Sequence, residues 1–233
     1  AGLIAATSAL EFGCGLSTVC DKFSDFSKIK IPMDLMYSSE IPNNVSAILL
    51  GSGFGRNQQN MDMAWDFIKQ GSLNDKCSFV FDADIFYYQK LPLLLEELKN
   101  QQVILTPHPK ELFYLLKLYD IKVDSVEEVI QNRFEFCKLF SEKNPNCVLV
   151  SKGAITYICH QNQIFICDVG SVALAKAGSG DVLAGMCLSL LAQGYDCVKA
   201  AQTAVYAHGI AASKCETNYG HTPSILISLI KNK

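Results

Sequence analysis

The chain has 233 residues, of which 49% are hydrophobic and 18% are charged. This composition excludes an intrinsically disordered protein, and the length suits one domain with its own buried core. The net charge is −3, from 20 basic and 23 acidic residues. Because no cluster of lysine or arginine occurs, the sequence predicts no nucleic-acid partner. No apolar run reaches the roughly 18 residues that span a bilayer, so no membrane partner is predicted either.

The predicted elements alternate between strands and helices along the chain. Residues 1–10 read as a helix without a basic segment, so no secretory signal is predicted there. Four short apolar runs predict buried strands at Ala47–Leu50, 79–81, 103–105 and 147–150. Helices are predicted at 61–70, 91–100, 110–118 and 125–142, the last beginning with a capping box at Ser125 and Glu128. A hairpin at 156–159 and 164–167 precedes helices at 179–193, 197–214 and 223–230. This alternation predicts one α/β domain with a mainly parallel sheet.

Ten cysteines are scattered along the chain, and no two form a C-x-x-C pair. A zinc ribbon or a thioredoxin-type motif is therefore not expected. Many of the cysteines lie within apolar runs, which favours reduced, buried thiols. Reduced thiols indicate a reducing compartment, so the sequence predicts a cytoplasmic protein.

A glycine-rich segment, 51–56, follows the first buried strand. Closely spaced glycines at 51, 53 and 55 let the backbone turn sharply and bring N–H groups against a ligand. The spacing lacks the third glycine position of the dinucleotide-binding fingerprint. A structural turn and a ligand-binding loop are both consistent with the pattern.

Two carboxylates, Asp82 and Asp84, follow the strand at 79–81. Ligands of open α/β sheets bind at this end of the strands. The pair is suited to hold Mg²⁺, directly or through water molecules. Asp84 is equally suited to cap a helix, because aspartate is a preferred N-cap residue.

His108 stands between two prolines, just past the strand at 103–105. The prolines fix the backbone on both sides of the histidine, which favours a rigidly presented substrate contact. A lone histidine is more often solvated or paired within the fold, so the pattern leaves both interpretations open. Pro109 suits the first turn of the next helix, and Glu111 is favourably placed near the positive end of that helix.

The sharpest pattern is Gly178, Ser179, Gly180 and Asp181, which leads into a helix rich in small residues. Free N–H groups at a helix start, together with the helix dipole, form an anion site. A carboxylate in that first turn is suited to deprotonate a hydroxyl that attacks a phosphoryl group. The alternative is a capped helix that packs tightly against another at Gly185. The chain contains no P-loop motif.

Two further segments contain candidate site residues. Lys152 and Gly153 follow the strand at 147–150 and are placed to meet a nucleotide phosphate or ribose, unless the segment is only a surface loop. His208 lies within a helix among small apolar residues and is predicted to pack rather than to catalyse.

These segments, taken in chain order, resemble the NAD(P)H-hydrate dehydratase family of the ribokinase-like superfamily over nearly the whole chain. The resemblance implies a three-layer fold with a mainly parallel sheet covered by helices on both faces. It implies an ADP-dependent dehydration of (S)-NAD(P)H hydrate (NADHX or NADPHX) to NAD(P)H, releasing AMP and phosphate. The substrate hydroxyl is phosphorylated and phosphate is then eliminated. His108 favours ADP, because the ATP-dependent branch usually has asparagine at that position.

The resemblance also implies residue roles. Asp181 is the catalytic base, beside an anion hole formed by Gly178, Ser179 and Gly180. The substrate-binding positions are Ala1, Gly53, Gly55, His108 and Asp181. The nucleotide-binding positions are Lys152, Gly153, Ala154, Ile155, Thr156 and Gly180. Mg²⁺ bridges phosphate oxygens, and Asp82 and Asp84 are its candidate ligands.

The sequence departs from the family pattern at Ser52, Lys110 and Lys176, which bears on substrate and nucleotide details. Three alternatives stay open: an ATP-dependent dehydratase, a ribokinase-like kinase for a vitamin precursor or a sugar, and a non-catalytic nucleotide-binding subunit. The resemblance suggests a homotetramer. It also leads us to expect that the domain lacks its first strand and belongs to a longer protein, such as one that carries a fused epimerase domain.

Overall fold

The protein was analysed as a computed structural model that describes residues 1–20, 30–70, 76–215 and 221–231. The strands are β1 (Thr18–Cys20), β2 (Met36–Ser38), β3 (Ala47–Leu50), β4 (Ser78–Phe81), β5 (Val103–Leu105), β6 (Cys147–Ser151), β7 (Thr156–His160) and β8 (Gln163–Cys167). The helices are α1 (Gly2–Glu11), α2 (Gln58–Gln70), α3 (Leu91–Glu97), α4 (Pro109–Leu118), α5 (Val126–Gln131), α6 (Arg133–Lys143), α7 (Ser179–Ala192), α8 (Cys197–Ser213) and α9 (Pro223–Lys231). Two short 3-10 helices span Ala83–Tyr87 and Val172–Leu174.

The central sheet has six strands in the order β3-β4-β5-β6-β7-β8. The first four are mutually parallel, whereas β7 and β8 form an antiparallel hairpin on β6. The mainly parallel sheet and the hairpin are therefore confirmed. Separately, β1 and β2 form a small parallel pair, which the sequence analysis did not predict.

Helices cover both faces of the sheet. Alternate residues of each buried strand point to opposite faces, so each strand contributes side chains to two cores. On β4, Phe79 and Phe81 join the core beneath α2, α3, α4 and α6, whereas Val80 joins the core beneath α7, α8 and α9. The same alternation continues through β5 and β6. With both faces buried, the strands read as continuous apolar runs, which is how the sequence revealed them.

Two predicted helices differ from the structure. The segment 125–142 is not one helix but two, α5 and α6, separated at Asn132. Asn132 has φ −115° and ψ 28°, and its side-chain amide donates to Glu128 O at 3.4 Å. The capping box is also incomplete, because Ser125 Oγ accepts from Glu128 N at 3.1 Å but the Glu128 carboxylate accepts from Asp124 N. The helix predicted at 91–100 ends earlier, at Glu97.

All ten cysteines are free thiols, and Cys77, Cys137, Cys147, Cys159 and Cys187 are buried. Burial raises the pKa of Cys187 to about 12, so that thiol stays protonated and behaves as a small apolar group. Among the described residues, no helix is both long and apolar enough to cross a bilayer.

Candidate active site

The predicted site segments meet at one edge of the sheet, because β3, β4, β5 and β6 run parallel and end there. Hydrogen bonds donated by backbone N–H groups join the segments that follow β3 and β4. Asp82 N donates to Leu50 O at 3.1 Å, and Gly55 N donates to Asp84 Oδ2 at 2.8 Å. The glycine-rich segment therefore closes against the Asp-Ala-Asp segment at the ligand-binding edge of an α/β sheet.

A buried charge network lies at the centre of this edge. Asp82 Oδ1 accepts hydrogen bonds from Lys152 Nζ and from Thr106 Oγ1, each at 2.7 Å. Lys152 Nζ also lies 3.8 Å from Glu111 Oε2. Burial acts to lower the pKa of Lys152, but the charges of Asp82 and Glu111 outweigh it and raise the pKa. Lys152 is therefore a permanent cation in the site.

His108 is the N-cap of α4. Its Nδ1 accepts from the backbone N–H groups of Lys110 and Glu111, at 3.1 and 3.3 Å, and Glu111 Oε2 accepts from His108 N at 2.8 Å. With Nδ1 acting as an acceptor, the hydrogen-bond network assigns the ring proton to Nε2, which lies 3.1 Å from Glu111 Oε1. Burial, aided by Lys152, lowers the pKa of His108 to about 4, so the ring is neutral near pH 7.

The N-terminus of α7 faces the same edge. Gly178 precedes it with φ 89°, a left-handed conformation that glycine adopts without strain. A Cβ atom placed on Gly180 would lie 3.2 Å from Lys152 Nζ, so the ammonium adjoins the first turn of the helix. The N–H groups of that turn and the ammonium together favour a bound anion.

Asp181 lies in that first turn, half-buried. Burial raises its pKa, and the Asp82 carboxylate adds to the rise, whereas the Lys152 ammonium opposes it. On the same side, a Cβ on Gly53 would lie 3.4 Å from Ala1 Cβ. The structure thus places the predicted substrate positions Ala1 and Gly53 close to each other.

His208 contacts Ser179, the first residue of α7. It is buried, as the small residues around it predict, and its Nε2 lies 3.1 Å from Ser179 O and 3.3 Å from Ser179 Oγ. Burial lowers its pKa to about 4, which keeps the ring neutral. The tight packing predicted at Gly185 is confirmed, because a Cβ there would overlap the carbonyl of Ala5 in α1, but no side chain caps the start of α7.

The predicted nucleotide segment 152–156 connects β6 to β7. Lys152 N donates to Pro107 O at 2.9 Å, which ties the segment to the loop that carries His108. Gly153, Ala154 and Ile155 are exposed beside the site. Lys176 and Lys110, the two lysines that depart from the family pattern, are also exposed.

The carboxylates of Asp82 and Asp84 fit Mg²⁺ in their chemistry. Among the described residues, Oδ1 of Asp82 and Oδ2 of Asp84 accept the hydrogen bonds. The other carboxylate oxygen of each residue is the one that could bind a cation. No group of three or more metal-ligating side chains occurs in the part of the chain that the structure describes. Mg²⁺ commonly binds through one or two carboxylates, substrate phosphates and water, so this pair suits an ion brought in with a nucleotide.

The sequence analysis did not assign a role in the site to Thr106 or Arg133, and it placed Glu111 only at the positive end of a helix. Glu111 had a local signal, since it stands three residues after His108 in the spacing of a capping box, but histidine is not a usual N-cap residue. Burial raises the pKa of Glu111 to about 7. Arg133 had no local signal, because its contacts lie about twenty positions further along the chain.

The chain resembles known proteins along its full length. The family described as NAD(P)H-hydrate dehydratase (Carb_kinase) matches residues 1–233. A bifunctional NAD(P)H-hydrate repair enzyme of Helicobacter pylori is 44% identical over 231 residues, covering 99% of this chain and 47% of that protein. An ADP-dependent (S)-NAD(P)H-hydrate dehydratase of Bacillus subtilis is 30% identical over 75% of this chain and 57% of that protein. The chain therefore spans about half the length of the curated relatives it matches.

Solved structures support the fold. An ADP/ATP-dependent NAD(P)H-hydrate dehydratase from Bacillus subtilis, co-crystallised with ATP and Mg²⁺, superimposes with a TM-score of 0.77 at 23% identity. The match covers 99% of this chain and 82% of that one. A ribokinase-like superfamily protein from Enterococcus faecalis gives a TM-score of 0.75. The fold is thus the ribokinase-like three-layer fold that the sequence predicted, and the chain belongs to the NAD(P)H-hydrate dehydratase family.

Proposed function

We propose that the chain catalyses the ADP-dependent dehydration of (S)-NAD(P)H hydrate to NAD(P)H, with release of AMP and phosphate. One observation carries this proposal: the Asp181 carboxylate and the Lys152 ammonium both adjoin the first turn of α7, at the ligand-binding edge of the sheet. This arrangement supports the proposal, because a carboxylate suited to act as a base lies beside donors suited to bind an anion. The membership in the family and the names of the relatives support the reaction class.

The proposed reaction has two steps. The substrate hydroxyl attacks the terminal phosphorus of ADP, the bond to AMP breaks, and Asp181 accepts the hydroxyl proton. The carbon–oxygen bond then breaks, and the proton lost from the neighbouring carbon passes to the departing phosphate as the ring double bond forms. The N–H groups of Gly178, Ser179 and Gly180 and the Lys152 ammonium stabilise the charge on the transferred group. The chemistry rests on positioning and electrostatics rather than on a covalent enzyme intermediate.

The remaining predicted residues take binding roles. Ala1, Gly53, Gly55 and His108 line the substrate side, and Lys152 through Thr156 line the nucleotide side. His108 presents its half-exposed ring to the site while its nitrogens hold α4 and Glu111 in place. Asp82 and Asp84 would hold Mg²⁺, which neutralises phosphate charge when it is bound.

The test is the recovery of reduced-nicotinamide absorbance from NADH hydrate or NADPH hydrate, with ADP or ATP and Mg²⁺. We expect recovery with ADP exceeding that with ATP, and loss of recovery in Asp181→Asn. Absence of nucleotide-dependent recovery with either hydrate would refute the proposal. A stable phosphorylated product would identify a kinase instead, and greater recovery with ATP would identify the ATP-dependent form.

We also propose that residues 1–233 form one domain, that the protein is cytoplasmic, and that it assembles as a homotetramer. The shared sheet with a core on each face supports the single domain. The free thiols support a reducing compartment. The small residues of α7 and α8 do not support the tetramer, because Gly185 packs on α1 and Gly209 packs on Val169 within the chain. Light scattering of the purified protein tests the assembly.

A further inference from the structure

Arg133, the first residue of α6, donates hydrogen bonds to both ends of the segment 152–155, which connects β6 to β7. Its Nη1 donates to Lys152 O at 2.7 Å, and its Nη2 donates to Ile155 O. The guanidinium also lies over the Tyr157 ring, 4.7 Å from the centroid. One planar side chain therefore joins both ends of a short exposed connection, which is the geometry that a guanidinium fork provides and an ammonium does not.

This contact fixes the direction of two peptide groups. In a trans peptide the C=O and the following N–H point in opposite directions, and no described peptide bond is cis. Because the carbonyls of Lys152 and Ile155 point at Arg133, the N–H groups of Gly153 and Thr156 point away from it. The Thr156 N–H lies in the ladder between β7 and β8, opposite Cys167, so the Gly153 N–H is the donor that this contact turns to the side opposite the guanidinium.

Gly153 is needed for the same arrangement. A Cβ atom on this residue would overlap Arg133 Nη1 and crowd the rest of the guanidinium. Any other residue at 153 would therefore force the arginine out of its place. Gly153 and Arg133 lie on different elements, but the position of the arginine side chain depends on the absence of a Cβ at residue 153.

We propose that Arg133 is a positioning residue for the nucleotide, which orients the 152–155 backbone so that the Gly153 N–H binds a phosphate or ribose oxygen of a nucleoside diphosphate. This inference rests on the proposed function, because that proposal identifies 152–156 as the nucleotide segment. Arg133 itself touches neither the nucleotide nor the hydrate. Its Nη1 and Nη2 atoms each already donate to a backbone carbonyl.

The test is the dissociation constant of the full chain for ADP, measured by calorimetry without hydrate and without turnover. We expect Arg133→Met to weaken ADP binding about tenfold or more, through loss of two charge-assisted hydrogen bonds that hold the segment. Lys138→Met is the matched control, since it removes one positive charge from an exposed position on the same helix. We expect the control to change the constant by less than about twofold.

Two further variants separate positioning from charge and from loss of folding. Arg133→Lys keeps the charge but bonds to only one carbonyl, so ADP binding should stay well below wild type. Gly153→Ala should weaken ADP binding as Arg133→Met does, and the double variant should be little worse than either single variant, because the two residues act as one unit. In turnover assays the effect should fall on the KM for ADP and leave the KM for the hydrate close to wild type.

Several outcomes would overturn the inference: wild-type ADP affinity in Arg133→Met or in Arg133→Lys, additive effects in the double variant, or equal losses for ADP and for the hydrate. A wild-type chain that binds no ADP would overturn it too. If the wild type binds ADP in an Arg133-dependent way but restores no NAD(P)H, the proposed function fails and the positioning role stands.

Discussion

Lys152 Nζ lies 2.7 Å from Asp82 Oδ1, and their side chains are only 18% and 3% exposed. Asp82 follows β4 and Lys152 follows β6, with β5 between these strands, and the two residues are 70 positions apart in the sequence. Moving two charges out of water costs free energy that their attraction only partly offsets. The buried pair therefore lowers the free energy of unfolding relative to an apolar pair. Such a cost is expected where a buried ammonium serves to bind an anion.

Replacing Lys152 with methionine should destabilise the fold by about 3 kcal/mol, because Asp82 is left as a buried, unpaired charge. The measurement is urea denaturation at pH 7. Adding Asp82→Asn should recover part of the loss, since the asparagine still accepts from Thr106 and carries no charge.

The control for this prediction is Lys99→Met. Lys99 pairs with Glu96 at 2.8 Å, but both side chains are more than half exposed. We expect a much smaller change in the urea midpoint, because exposed ion pairs contribute little to stability. Equal shifts for Lys152→Met and Lys99→Met would contradict the role assigned to the buried pair.

His108→Ala should destabilise the fold by about 1 kcal/mol, because the ring accepts two N–H bonds at the start of α4. His108→Asn should retain most of that stability, since asparagine is a good N-cap residue. Chemical denaturation of the two variants checks the prediction. If asparagine is as destabilising as alanine, the histidine contributes through another contact, such as the one to Glu111.

His108 and Glu111 should give the stability of the protein opposite dependences on pH. Burial lowers the pKa of His108 from 6.5 to about 4, so its contribution is present above pH 6.5 and is lost as the pH falls towards 4. Burial raises the pKa of Glu111 from 4.5 to about 7, so its contribution is present below pH 4.5 and is lost as the pH rises towards 7. The two slopes oppose each other between pH 4.5 and 6.5.

Glu111→Gln should therefore make stability rise more steeply with pH across that range than in the wild type, because only the histidine slope remains. His108→Asn should make stability fall with pH, because only the glutamate slope remains. Urea midpoints at a series of pH values provide the measurement. Profiles for the two variants that run parallel to the wild type would show that neither group titrates as the structure implies.

Much of the fold could be read from the sequence because both faces of the parallel strands are buried. Runs such as Val103–Leu105 carry no polar alternation, which marks them as internal strands. The break at Asn132 was not predictable, because apolar periodicity continues on both sides of it. The pair of β1 and β2 was missed for a different reason: each strand has three residues and neither is fully buried.

The site was predictable to the extent that its residues follow the ends of strands or begin a helix. Asp82, His108 and Asp181 all satisfy that condition, and the structure places them at one edge. The ion pair of Asp82 with Lys152 and the hydrogen bonds of Arg133 to the 152–155 segment depend on the tertiary arrangement of distant segments. No local pattern marks such contacts, so a single sequence does not reveal them.

Gly178 and Gly194 offer a matched pair for testing the start of α7, because each has φ 89°. A Cβ on Gly194 meets nothing within 4 Å, whereas one on Gly178 would lie 2.6 Å from Pro223 Cγ and 3.2 Å from Ile4 Cδ1. Gly194→Ala should therefore show only the cost of a left-handed alanine, about 1 kcal/mol. Gly178→Ala adds a steric overlap with a rigid ring and should cost about 3 kcal/mol in total.

The two variants should differ more sharply in catalysis. A shift of Gly178 moves the N–H groups proposed to stabilise the transferred phosphoryl group, so we expect kcat to fall about 100-fold. Gly194 lies beyond the far end of α7, and its alanine variant should keep wild-type kcat. Both variants are assayed at a temperature where circular dichroism shows them folded. Equal activities would mean that the turn at Gly178 serves packing against α1 and α9 and does not form the anion site.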